Sequence, residues 1–118
     1  VTFARRHNRQ KDDQPITGLV DKVVSELDKI HNDMFADAEK ILRDKTVEVY
    51  NYDDFKTELE KGRLIKAPIC DNPECEEKIK EETGADVRVI TDDAEDTSSK
   101  CIKCSNQSVI SPLFARGY

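Results

Sequence analysis

Four cysteines stand in two short pairs, Cys70-Asp-Asn-Pro-Glu-Cys75 and Cys101-Ile-Lys-Cys104. Thiolates are soft ligands, and one tight bend can turn two sulfurs a few residues apart toward a common point. Each pair can therefore supply half of a tetrahedral Zn²⁺ shell. Two disulfides and four unliganded thiols are the competing readings. Four cysteines allow three disulfide pairings, but they are too few for the dense framework of small secreted domains. A shell closed by four thiolates leaves no position for water or substrate, so the site is expected to be structural and metal-assisted hydrolysis is disfavoured.

The elements that must carry these sulfurs can be read around them. Leu64-Ile65-Lys66-Ala67-Pro68-Ile69 reads as a strand that delivers Cys70 at its end, with Pro68 placing it at an edge or a bulge. Asn72 is a good N-cap and Pro73 a good first helical residue. A helix is expected to about Thr83, closed by Gly84, with Cys75 in its first turn. There the helix dipole is expected to lower the thiol's pKa and favour the thiolate. Asp86 to Ile90 reads as a strand, Thr91 to Lys100 as a polar, mobile loop whose single apolar residue is Ala94, and Ser108 to Phe114 as a final strand.

Upstream, Leu19, Val20, Val23, Val24, Leu27, Ile30, Met34, Ala38, Ile41 and Leu42 recur at steps of three and four. One amphipathic helix of about 40 Å is expected from Pro15 to about Lys45, longer than so small a domain needs for its own core. Val47 to Tyr50 looks extended, and Asp53 or Asp54 offers an N-cap for a short helix that buries Phe55 and Leu59 and ends at Gly62. Val1 to Ala4 is a strand that needs a partner, either here or in a preceding domain, and Arg5, Arg6 and Arg9 form the one local basic patch. Because the chain opens on Val1 rather than Met, it is expected to be cut from something longer.

The chain is 118 residues long, 37% charged and 36% hydrophobic, with a formal net charge of -6 and a mean hydropathy of -0.72. Such a composition allows one domain with a thin core, in which a metal would matter to folding. Its net charge argues against autonomous tight binding to a phosphate backbone, and no run is apolar enough for a membrane helix. Neither a phosphate-binding glycine loop nor a metalloprotease or hydrolase motif occurs, and His7 and His31 lie far apart, with His31 read as a helix-surface residue. No catalytic residue is assigned. From the residues alone the chain is an α+β fold: a long N-terminal helix leading into a small mixed sheet with helices, stabilised by a four-cysteine zinc site. Two function classes stay open, an auxiliary domain of an RNA-dependent ligase and a free-standing zinc-ribbon-like protein-interaction adaptor.

Taken together, Pro68-Ile69-Cys70, Pro73-Glu74-Cys75-Glu76-Glu77-Lys78-Ile79-Lys80, Cys101-Ile-Lys-Cys104 and Phe114-Ala115-Arg116-Gly117-Tyr118 resemble the C-terminal region of archaeal/eukaryotic-type prolyl-tRNA synthetases, class II aminoacyl-tRNA synthetases. The resemblance implies that residues 1–14 are the last strand and exit of an anticodon-binding domain, 15–46 a linker helix and 47–118 a zinc-binding α+β domain. It implies Cys70, Cys75, Cys101 and Cys104 as Zn²⁺ ligands, Arg5, Arg6 and Arg9 as RNA-facing candidates, and Tyr118 as a residue supporting the active site of the parent. That parent would be a cytoplasmic homodimer that uses ATP to join proline to its tRNA. Its catalytic and anticodon-binding domains would be the partners of this piece, which should be inactive alone.

Overall fold

In the computed structural model, which describes residues 1–117, the elements follow the order β1 (Thr2–Ala4), β2 (Lys11–Asp13), α1 (Leu19–Lys45), β3 (Thr46–Glu48), α2 (Tyr52–Glu60), β4 (Leu64–Lys66), α3 (Pro73–Thr83), β5 (Ala85–Val89) and β6 (Leu113–Arg116). Contacts divide the chain into a unit from Val1 to Arg43 and a second that begins at Asp44.

In the first unit β1 pairs antiparallel with β2, Phe3 opposite Asp12. The sequence gives β2 no β-forming residue, because Lys-Asp-Asp is among the poorest strand compositions. The pairing comes from the turn instead. Arg5 N–H donates to Gln10 O, Arg9 N–H donates to Arg5 O, and Arg9 takes a left-handed φ of 61°. α1 starts at Leu19 rather than Pro15 because Gly18, at φ 71°, lies outside the helical region. No α1 residue is buried, and Val20, Leu27 and Phe35 are all exposed. His31 is exposed as expected. No helix is long and apolar enough to cross a membrane among the described residues.

The second unit holds a four-stranded sheet in the order β3-β4-β6-β5. β3 and β4 are parallel, joined through α2, while β6 runs antiparallel to both β4 and β5. Phe55 and Leu59 of α2 are buried as their spacing predicts, and Phe55 meets Phe114 of β6 edge-on with ring centroids 5.3 Å apart. The N-cap of α2 is Asn51, whose side chain accepts from Asp54 N–H at 2.8 Å; neither Asp53 nor Asp54 takes that place. Both aspartates fall in the first turn, where negative charge complements the dipole. β4 lies inside the sheet and ends at Lys66, so Pro68 marks neither an edge nor a bulge but sits past the strand, fully buried. Asn72 caps α3, Pro73 opens it, and Gly84 closes it at φ 72°, all as expected. The expected final strand is split by Pro112, which has no N–H for a ladder: β6 begins at Leu113, and Ile110 makes single bridges to Ile69 and Glu95.

The segment from Thr91 to Lys100 is fastened rather than loose. Ala94 is buried, Ser111 N–H donates to Ala94 O, and Asp96 N–H donates to Val109 O. The Asp96 carboxylate accepts from Ser98 N–H, Ser99 N–H and Ser111 Oγ at 2.8–3.2 Å. Hydrogen bonds from Ser99 and Ser111 hold its pKa down at about 2 against the opposing effect of burial. A carboxylate with a depressed folded-state pKa contributes stability that is fully present above its unfolded value near 4 and lost as the pH falls through about 2. Asp96→Asn is therefore expected to cost about 1–2 kcal/mol at neutral pH and progressively less between about pH 4 and pH 2. Urea unfolding at pH 7 and pH 2.5 checks this; an equal loss at both would show that the charge is not what the segment uses.

Candidate metal centre

Each cysteine pair reaches the site on a different support. The backbone past β4 is held by Ile69, whose N–H donates to Ile110 O at 2.8 Å and whose carbonyl accepts from Val109 N–H at 2.9 Å, and this seats Cys70. Cys75 is the third residue of α3, and its N–H donates to Asn72 O at 3.0 Å. The Cys101–Cys104 turn belongs to no helix or strand. Three backbone bonds shape it: Cys101 N–H to Asn106 O, Ser105 N–H to Cys101 O, and Ile102 N–H to Pro68 O at 3.0 Å. The last of these lays the second pair beside the first.

The result is four sulfurs within 4.8 Å of one another, three on buried cysteines and one on exposed Cys104. The Cys70 sulfur lies 3.6 Å from those of Cys75 and Cys104, and none of the four is in a disulfide. A tetrahedron of thiolates at ordinary Zn–S distances has edges of about 3.8 Å, so the observed spacing fits such a shell. The donor chemistry points the same way. Burial pushes the Cys75 thiol up, and the crowding sulfurs of Cys104 and Cys70 push it further. The expected lowering by the α3 N-terminus is outweighed there. Burial likewise raises Cys70. Cys101 goes down, to about 7: burial opposes this, but the backbone N–H groups of Cys104, Cys70 and Lys103 outweigh it. Sulfurs packed so closely cannot all carry charge unless a cation sits among them, and a soft divalent ion would relieve that repulsion.

The other predicted residues lie elsewhere. Arg5 is enclosed by carboxylates, with its Nη1 on Asp12 and its Nε on Glu26 at 2.5 Å, and its side chain is only 12% exposed. Its charge is neutralised within the first unit, while Arg6 and Arg9 remain exposed. Tyr118 lies outside the described residues. The residues that spacing did not flag are Tyr52, Glu82 and Lys103. Lys103 Nζ donates to both Glu82 carboxylate oxygens at 2.6 Å and lies 4.2 Å from the Tyr52 ring centroid, and Tyr52 OH donates to Glu82 at 2.7 Å. They come from three separate segments and had no common pattern to find.

A family model described as prolyl-tRNA synthetase, C-terminal, matches residues 52–118. Proline–tRNA ligase 2 of Clostridioides difficile is 41% identical over 97% of this chain, and the proline–tRNA ligase of Cenarchaeum symbiosum is 35% identical over all of it. A crystal structure of prolyl-tRNA synthetase from Cryptosporidium parvum with L-proline and AMP superposes on 99% of the chain with a TM-score of 0.90 at 27% identity. The chain spans about a quarter of the length of each.

Titration with Co²⁺ is expected to give the absorption of a tetrahedral thiolate site that saturates at about one equivalent. Cys70→Ser, which removes the sulfur adjacent to two others, should weaken that binding at least about tenfold. A titration that never saturates, or a Cys70→Ser variant that binds as the parent chain does, would show that the cluster is not a metal shell.

Proposed function

We propose, from the premise that the chain belongs to the family of prolyl-tRNA synthetase C-terminal domains, that it is the auxiliary, non-catalytic zinc-binding part of a ligase that joins proline to its tRNA. The observation that carries this reading is the closure of the site: four sulfurs at tetrahedral spacing leave no coordination position for a substrate. Zn²⁺ held by Cys70, Cys75, Cys101 and Cys104 would tie the segments around 70–75 and 101–104 together. On the order of 10 kcal/mol of binding free energy would then count toward the fold.

The remaining assignments follow from the same reading. Residues 1–14 close an anticodon-binding domain, α1 serves as the linker across 15–46, and 47–118 is the zinc domain proper. ATP and proline bind to the rest of a homodimeric, cytoplasmic parent, whose catalytic and anticodon-binding domains are the partners of this part. Tyr118 supports the parent's active site. RNA-facing charge falls to Arg6 and Arg9, since Arg5 is held between Asp12 and Glu26. Matches to curated ligases over 97% of the chain or more favour this reading over a free-standing adaptor.

The 118-residue chain is expected to catalyse no proline-dependent exchange of pyrophosphate into ATP, and to bind tRNA for proline more weakly than about micromolar at physiological salt. The Arg6→Ala/Arg9→Ala pair should weaken whatever binding appears and flatten its salt dependence. Exchange activity in the chain alone, or tight tRNA binding indifferent to Arg6 and Arg9, would contradict the assignment.

A further inference from the structure

The two halves of the cysteine cluster are unequally supported. Cys75 stands on α3 and Cys70 follows backbone bridged to Ile110, whereas Cys101 to Cys104 form a turn outside any helix or strand, with one sulfur exposed. Its backbone is tied to the first pair at one point, Ile102 N–H to Pro68 O at 3.0 Å, so a swing at the Cys104 end can move a sulfur by the fraction of an ångström that a metal shell does not tolerate. Two side chains lie inside that turn: Ile102, which is buried, and Lys103, which does not extend into solvent. It is 18% exposed, with its ammonium on both oxygens of Glu82 and over the ring of Tyr52. Immobilising a lysine costs rotamer freedom, so a geometry this closed reflects several contacts acting together. Glu82 lies near the end of α3, whose first turn carries Cys75, and Tyr52 opens α2. Tyr52 OH fixes the carboxylate that Lys103 meets.

We propose that Tyr52, Glu82 and Lys103 form a positioning clamp that seats the Cys101–Cys104 turn against Cys70 and Cys75 and slows loss of the bound metal. The clamp joins the turn to the same helix that presents Cys75, so both cysteine pairs are referred to one rigid element. This rests on the metal reading above, and it assigns to three residues outside the ligand set the retention of the ion.

The test is release of Zn²⁺ from the loaded 118-residue chain into excess chelator, followed with a chromogenic indicator. Lys103→Met and Glu82→Gln are each expected to release zinc about tenfold faster than the parent chain, and Lys103→Arg, which can still pair with the carboxylate, within about twofold of it. The Lys103→Met/Glu82→Gln double variant should release no faster than the quicker single variant, because the two side chains act as one unit. Unchanged release from Lys103→Met, or release from Lys103→Arg as fast as from Lys103→Met, would overturn the clamp. Melting temperatures separate this from a general role in folding: a fall as large in chelator-treated Lys103→Met as in the loaded variant would also overturn it. A parent chain that takes up no zinc at all refutes the metal reading itself, whereas uptake with unchanged release refutes only the clamp.

Discussion

The mutual repulsion of four sulfurs in one place is the constraint around which the second unit is arranged. Sulfurs within 4.8 Å of one another and largely out of water are unfavourable as charges. The structure nonetheless holds them there with bonds made elsewhere. Pro68 O accepts from Ile102 N–H, Ile69 exchanges bonds with Val109 and Ile110, and Asn72 turns α3 so that Cys75 faces inward. Each of these bonds lies one or two residues from a cysteine. The backbone at each cysteine is thus held by protein bonds, and a cation would complete the arrangement.

A thin core leaves much of this fastening to polar bonds. The buried apolar cluster is short, built on Phe55, Leu59, Ile65, Ile79 and Phe114, and lies where α2 and α3 cover the sheet. Beyond it the chain from Thr91 to Ser111 contains almost no regular structure, and polar bonds do what apolar burial does elsewhere. Asp96 gathers four donors, Ser108 Oγ donates to Ser99 O, and Ser111 is buried against Asp96. Such a network is strong only while every member is satisfied, because a lone buried acceptor costs more than a good bond returns.

How far all this could be read from the sequence depends on whether the signal is local. α3 was legible to the residue because capping is a local rule: Asn72, Pro73 and Gly84 announce its ends wherever it packs. The four ligand candidates were legible for the same reason, as spacing within each pair reports a turn. The N-cap of α2 was misplaced by two or three residues because Asn51, Asp53 and Asp54 are all competent caps, and the choice is made by which backbone first turns helical. β2 was missed because its residues are poor strand formers held by a hairpin whose turn needs Arg9 at positive φ, which no composition announces. The Asp96 network and the Tyr52, Glu82 and Lys103 group were missed because their partners are separated by up to 51 positions, from Tyr52 to Lys103, and nothing periodic links them.

The long helix shows the limit of periodicity in another form. Its apolar residues recur with the helical period, and that regularity identified α1 to within four residues at its start. Yet none of those residues is buried, and Val20, Leu27, Met34 and Ile41 are all more than half exposed. A hydrophobic period states that one face favours removal from water, at about 25 cal/mol per Å² of apolar surface. It carries no information on where the covering surface comes from. In α3 the covering surface is supplied by the sheet that follows in the same unit, so Ile79 is fully buried and the pattern and the packing coincide. In α1 the pattern exists without that packing. Amphipathicity and burial are therefore separate statements about a helix, and only the first is written in its own residues.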